Sequence, residues 1–190
     1  MSESATTKTS KYEFTKDWFS KREESWLEHF GDLATRESHA LEIGSLEGRS
    51  AVWMLDNLLT NDKSSLTCID LFPDTEVEAR FDQNIEASDG ADKVAKYKGR
   101  SWEILRKLSP ASFDLIYVDG SHHGRDVIED AVLSHRLLRD GGFLAFDDYP
   151  WRDATDHSVY PKDAIDAFLH LYQDVFEVLQ MHWQVFLRKK

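Results

Sequence analysis

From residue 40 onward the chain repeats one rhythm: a short apolar run, a polar turn, a segment with helical spacing, and another apolar run. The runs are ALEIGS (40–45), SLTCIDLF (65–72), KVAKYKG (93–99), FDLIYVD (113–119) and GFLAFDD (142–148). The spacers RSAVWMLDNLL, EVEARFDQNIEA, SWEILRKL and GRDVIEDAVLSHRLL are long enough to cross back over a sheet, so successive runs pair in parallel and helices cover both faces. Pro110 closes the third spacer, and Gly141-Gly142 closes the fourth as glycine ends helices. KDAIDAFLHLYQ adds a later helix. VFEVLQ and WQVFLRK then follow with too few residues between them for a helix, which predicts a closing antiparallel hairpin.

Ahead of this rhythm, FTKDWFSKREESWLEHF sets Phe14, Trp18, Trp26, Leu27 and Phe30 near helical spacing, which predicts one or two amphipathic helices over the core. Residues 1–12, rich in Ser and Thr, read as a disordered tail, leaving 13–190 as a single domain. With 35 acidic against 23 basic residues and a formal net charge of −12, the chain lacks the clustered Lys and Arg that phosphate-backbone binding needs, so no nucleic-acid partner is expected. No run approaches the roughly 18 apolar residues of a membrane span. The N-terminal stretch has no apolar segment of signal-peptide type, and the lone Cys68 allows no intrachain disulfide, which suits a reducing cytoplasm.

In an open α/β sheet, ligands bind beyond the carboxyl ends of the strands, and special residues gather there. Glu42-Ile43-Gly44-Ser45 ends the first run, Asp70 the second, Gly99-Arg100-Ser101 the third, Asp119 the fourth, and Asp147-Asp148 the fifth. Gly44 and Gly48 let the backbone approach a ligand, with Ser50 in the first turn of the following helix. Asp70 is positioned to accept two ribose hydroxyls. The turn is not G-x-G-x-x-G, and Glu42 would repel a pyrophosphate, which disfavours an NAD(P)-binding oxidoreductase. That carboxylate suits a cofactor carrying positive charge, such as the amino and sulfonium groups of S-adenosylmethionine.

With these residues in view, the chain resembles the class I S-adenosylmethionine-dependent methyltransferases. LEIGSLEGRSAVWM is similar to the first motif of the catechol and caffeoyl-CoA type O-methyltransferases and of bacterial sugar and macrolide O-methyltransferases. The resemblance implies a Rossmann-like methyltransferase fold, a mostly parallel seven-stranded sheet with helices on both faces and an antiparallel C-terminal hairpin. By the same resemblance Glu42, Gly44, Ser45 and Ser50 hold the methionine moiety, Asp70 the ribose, and Gly99, Ser101 and Trp102 the adenine end, with Asp119 also touching the cofactor.

Asp119, Asp147 and Asp148 end runs that are adjacent in this topology, so three carboxylates would converge. Crowded carboxylates repel unless a cation sits among them, and oxygen ligands favour a hard divalent ion such as Mg²⁺. The metal-dependent relatives carry acidic ligands at these positions. There the residue three beyond Asp119 is a lysine that takes the acceptor's proton; here it is His122, which can act as a base near neutral pH. His123 is expected to line the pocket, against the adenine. Tyr149, Pro150 and Trp151 are candidate walls for the acceptor, and the 152–160 loop is a connection with Asp153, Asp156, His157 and Tyr160 as further candidate ligands or gates.

The function expected is Mg²⁺-dependent methyl transfer to a hydroxyl of a small acceptor, a sugar or glycoside ahead of an aryl ring. The alternative is a non-catalytic S-adenosylmethionine-binding module. No large insertion defines an acceptor pocket, which leaves the N-terminal helices or the second subunit of a homodimer to supply the missing wall.

Overall fold

The computed structural model describes residues 11–190. Of the tail expected over 1–12, residues 1–10 lie outside the described residues. Lys11 and Tyr12 rest against the body, Lys11 donating to Asp89 at 3.0 Å and the Tyr12 hydroxyl to Asp56 at 2.7 Å.

Seven strands form one sheet: β1 (His39–Ile43), β2 (Ser65–Asp70), β3 (Val94–Lys98), β4 (Phe113–Val118), β5 (Leu138–Phe146), β6 (Phe176–Met181) and β7 (Val185–Lys189). Their order is β3-β2-β1-β4-β5-β7-β6. The first five pair in parallel, and β7 runs antiparallel to both β5 and β6, as the expected hairpin requires. The helices are α1 (Glu23–Phe30), α2 (Arg49–Asn57), α3 (Thr75–Ala87), α4 (Ser101–Leu105), α5 (Gly124–Leu137) and α6 (Pro161–Leu171). None of these is long and apolar enough to cross a membrane.

Because strand side chains alternate between faces, the sheet carries two cores. On one face Ala40, Cys68, Leu115, Tyr117 and Phe186 pack with Trp26 and Phe30 of α1, Met54 of α2 and Phe81 of α3. On the other Leu41, Ile69, Ile116, Leu144 and Leu187 meet Ile104 of α4, Val127 of α5 and Phe168 of α6.

Of the one or two N-terminal helices expected, one is present, and the expected end of α5 is corrected. The N-terminal segment holds a single α-helix of 8 residues, preceded by a 3-10 turn and an irregular strap; Phe14 and Phe19 face the core, while Trp18 is 69% exposed and Leu27 48%. The strap replaces a second helix because its backbone bonds outward: the Thr15 N–H donates to Glu47 and the Glu13 N–H to Asn84. Secondly, α5 passes directly into β5 at Leu138, and Gly141-Gly142 lies beyond the helix end. Phe113 pairs with Leu138 but Leu115 pairs with Phe143, so the extra residues bulge out. Glycine serves that bulge: Gly141 has φ +77°, and a Cβ on Gly142 would lie 2.9 Å from the Arg139 carbonyl oxygen.

Candidate active site at the strand ends

Gly44 leaves β1 with φ +91°, and a Cβ there would lie 2.0 Å from the Asp119 carbonyl oxygen. Only glycine permits so close an approach. The N–H groups of Ser45 and Leu46 both donate to Asp70 Oδ2 at 2.9 Å, and the Phe72 N–H donates to Oδ1 at 2.7 Å. Asp70 therefore stitches together the turns after β1 and β2. A carboxylate offers about four acceptor sites, so three N–H donors leave room for a hydroxyl.

Glu42 is completely enclosed. The Ser50 hydroxyl donates to its Oε1, and the Cys68 thiol lies 3.7 Å from its Oε2. Burial pushes the Glu42 carboxyl up to about 7 despite these donors.

Beyond β3, the Gly99 N–H donates to the Asp70 carbonyl at 2.9 Å. Ser101 lies near Asp130 of α5, a side chain only 2% exposed whose carboxyl burial raises to about 7. Trp102 is 40% exposed and lies under the Arg106 guanidinium, 5.3 Å from the ring centre.

The carboxylates sit where the ladder runs on past β4 and β5: the Asp119 N–H donates to the Ile43 carbonyl at 2.8 Å and the Asp147 N–H to Val118 at 3.1 Å. The Tyr117 hydroxyl stands between two of them, hydrogen-bonded to Asp147 Oδ2 and 3.1 Å from Asp119 Oδ2. One phenolic proton cannot satisfy two carboxylates at once. Burial, then the charges of Asp147 and Asp148, raise the Asp119 carboxyl well above its ordinary range; burial raises Asp147 as well.

The expected ligand trio divides. The donor atoms of Asp119, His122 and Asp148 lie within 4.8 Å of one another. Asp147 is turned inward: Oδ2 also accepts from Gln184 Nε2 at 2.9 Å, and Oδ1 accepts the Asp148 N–H at 2.7 Å. The reason is local geometry. Asp147 continues the face of Ala145, toward Tyr117, whereas Asp148 adopts φ +53° and swings outward. Its carboxylate is held by Trp183 Nε1 at 2.9 Å on one oxygen and by His122 Nε2 at 2.8 Å on the other. Two carboxylates and an imidazole so placed fit a divalent ion chemically.

Other candidates fall elsewhere. His123 is the residue at the N-terminal boundary of α5 and contacts Ser158 Oγ at 3.1 Å through Nδ1, which links it to the 152–160 loop. The Tyr149 hydroxyl donates to Asp166 of α6 at 2.8 Å, which takes it away from the acceptor side. Trp151 does stand at the mouth, its ring 4.8 Å from that of His122. Asp153 and Asp156 fold into turns with Thr155 and Ser158, which marks the loop as a connection.

Several site residues were not foreseen. Trp26 Nε1 donates to Gln184 Oε1 at 2.9 Å, so a buried chain of donors runs from α1 through the hairpin to Asp147. Lys16, Trp18 and Phe19 of the strap line a cavity with the Gly44–Glu47 turn, Ser50 and Tyr117. The one available signal was Gln184, a polar residue beginning an apolar strand.

A family model described as a methyltransferase domain matches residues 41–149. A probable O-methyltransferase of Mycobacterium tuberculosis is 34% identical over 104 residues, 54% of this chain and 44% of that protein. The chain thus spans less than half the length of that relative. Among solved structures, the O-methyltransferase from Bacillus cereus in complex with SAH has a TM-score of 0.72 at 17% identity, covering 93% of this chain and 84% of that one. The MycE methyltransferase of the mycinamycin biosynthetic pathway, in complex with Mg and SAH, has a TM-score of 0.63 at 18% identity, covering 94% and 51%. At these identities the likeness to the two structures is one of fold.

Proposed function

The chain belongs to the methyltransferase domain family, and from that premise we propose that it moves a methyl group from S-adenosylmethionine to a hydroxyl of a small acceptor, with Mg²⁺ at the carboxylate cluster. One observation carries this reading: the Gly44 turn touches the Asp119 backbone, so a cofactor on that turn and the Asp119–His122–Asp148 cluster share one space. The name of the M. tuberculosis relative and the Mg and SAH in the MycE structure support it.

In this mechanism Glu42 stabilises the cationic end of the cofactor from beneath, and Asp70 accepts a ribose hydroxyl beside the N–H groups it already holds. Asp119 and Asp148 would hold the ion, with Asp147 behind them. When bound, Mg²⁺ would lower the pKa of the acceptor hydroxyl and balance the crowded charge. His122, 36% exposed and oriented by Asp148, takes the hydroxyl proton. The acceptor oxygen bonds to the methyl carbon as the carbon–sulfur bond breaks, leaving S-adenosylhomocysteine. Trp18 lines the cavity and Trp151 packs against His122, aromatic surface that suits a sugar or glycoside.

The test is transfer of labelled methyl to a panel of glycosides and catechols, with and without EDTA. Transfer that EDTA abolishes and Mg²⁺ restores is expected, with a drop of roughly 10²–10⁴-fold in His122→Ala. Absence of transfer across the panel, with S-adenosylhomocysteine still bound, would sink the enzymatic reading in favour of a binding module.

A further inference from the structure

The cavity in front of the Gly44 turn is bordered by acid: Glu42 lies beneath, Glu47 at the turn, and Asp119 and Asp147 at the far side. Such a site suits the sulfonium and ammonium of S-adenosylmethionine. The cofactor's methionine moiety also carries a carboxylate, which needs a donor of its own.

Most nearby donors are committed. The N–H groups of Ser45 and Leu46 go to Asp70, that of Gly48 to the Ser45 carbonyl, and the Ser50 hydroxyl to Glu42. Arg49 pairs with Glu23 and, at 3.5 Å, with Asp17. The other cation lining the cavity is Lys16. Its ammonium lies 4.9 Å from the Trp18 ring centre, and among the described residues it forms no hydrogen bond or ion pair.

The backbone of this lysine is anchored. Both the N–H and the hydroxyl of Thr15 donate to Glu47 at 2.6 Å, and Arg80 meets the same carboxylate at 2.7 Å. Asn84 brackets Glu13, accepting its N–H and donating to its carbonyl at 2.8 Å. Burial opposes ionisation of Glu47, but Thr15 and Arg80 outweigh it and hold the carboxyl below its usual range. The strap is therefore fixed to the turn by a charged clamp, while the four-carbon stem of Lys16 stays able to extend.

We propose that Lys16 binds the carboxylate of the cofactor's methionine moiety, supplying the cationic contact that Arg49, tied to Asp17 and Glu23, does not. This rests on the S-adenosylmethionine reading above. It makes the strap part of the cofactor site and gives that site a preference for ligands that keep the amino-acid end.

The experiment is calorimetric titration of the full chain with S-adenosylhomocysteine and with 5′-methylthioadenosine, which lacks that end, for wild type, Lys16→Met and Lys16→Arg. Lys16→Met should weaken S-adenosylhomocysteine by about 10- to 100-fold, leave 5′-methylthioadenosine unchanged, and be largely rescued in Lys16→Arg. Equal weakening of both ligands, or unchanged affinity for S-adenosylhomocysteine, overturns the assignment. A wild type that binds neither ligand overturns the cofactor reading itself, an outcome distinct from wild-type binding that Lys16 does not influence.

Discussion

Gly44 and Asp119, on different strand ends, touch through backbone alone: a single methyl group on Gly44 would overlap the Asp119 carbonyl. The cofactor turn and the acidic cluster therefore cannot be adjusted independently. Gly44→Ala combines a left-handed backbone with a steric clash and should cost roughly 2–5 kcal/mol. Chemical denaturation checks the loss, and cofactor affinity should fall with it. A variant with a wild-type midpoint and wild-type binding would show that the two ends are not rigidly joined.

If the proposed cofactor site is right, Glu42 gives its binding a pH dependence. Its carboxyl is raised to about 7 by burial, so it is largely neutral in acid and ionised in mild base. A cationic ligand favours the ionised form and lowers that pKa, so binding expels a proton. Affinity should rise as pH increases toward about 7, by up to about tenfold per unit, and flatten above it. Calorimetry in buffers of different ionisation enthalpy counts the proton directly, and Glu42→Gln should remove the slope.

Asp130 makes stability, rather than binding, depend on pH. Its folded pKa, raised to about 7 by burial, exceeds the unfolded value of about 3.9. The contribution of its neutral form is thus complete below about pH 4 and is lost as pH rises through about 7. Asp130→Asn keeps the size and polarity of the side chain without titrating. Thermal unfolding at about pH 8 should show it more stable than wild type by on the order of 1–3 kcal/mol, with the difference vanishing near pH 4.

Trp26→Phe isolates the buried donor chain. The aromatic packing against Phe19, Phe30 and Tyr117 is largely kept, but Gln184 Oε1 loses its donor in a place without water. A cost of about 1–3 kcal/mol is expected, read from denaturant midpoints. A neutral effect would mean that the amide turns over and finds another donor.

The strand ends were legible because two local rules coincide there: apolar runs stop, and chemistry-bearing residues follow. Glu42, Asp70, Asp119, Asp147 and Asp148 could be placed by that rule alone, and the closing hairpin by the short gap between VFEVLQ and WQVFLRK. The direction in which each side chain points was harder. Asp147 and Asp148 are neighbours with the same chemistry, yet the φ of Asp148 sends one toward the cluster and leaves the other facing Tyr117. Residue identity carries little of that. The strap escaped because its bonds to Glu47 and Asn84 join positions far apart in the chain and leave no periodic trace. Gly141-Gly142 misled for the opposite reason: a glycine pair signals a change of direction, and helix ends and strand bulges both use it.

Trp26 and Gln184 stand 158 positions apart, and their hydrogen bond ties α1 to the amide that holds Asp147. Contacts of such separation are late rewards in folding, since the loop they close must be ordered first. Asp119 and Asp147 are set side by side by the pairing of β4 with β5, and the Trp26–Gln184 bond fastens α1 to the amide that covers the second of them. Release of that one bond would leave the two carboxylates adjacent but open to water, easing the burial that raises them without parting the strands that carry them.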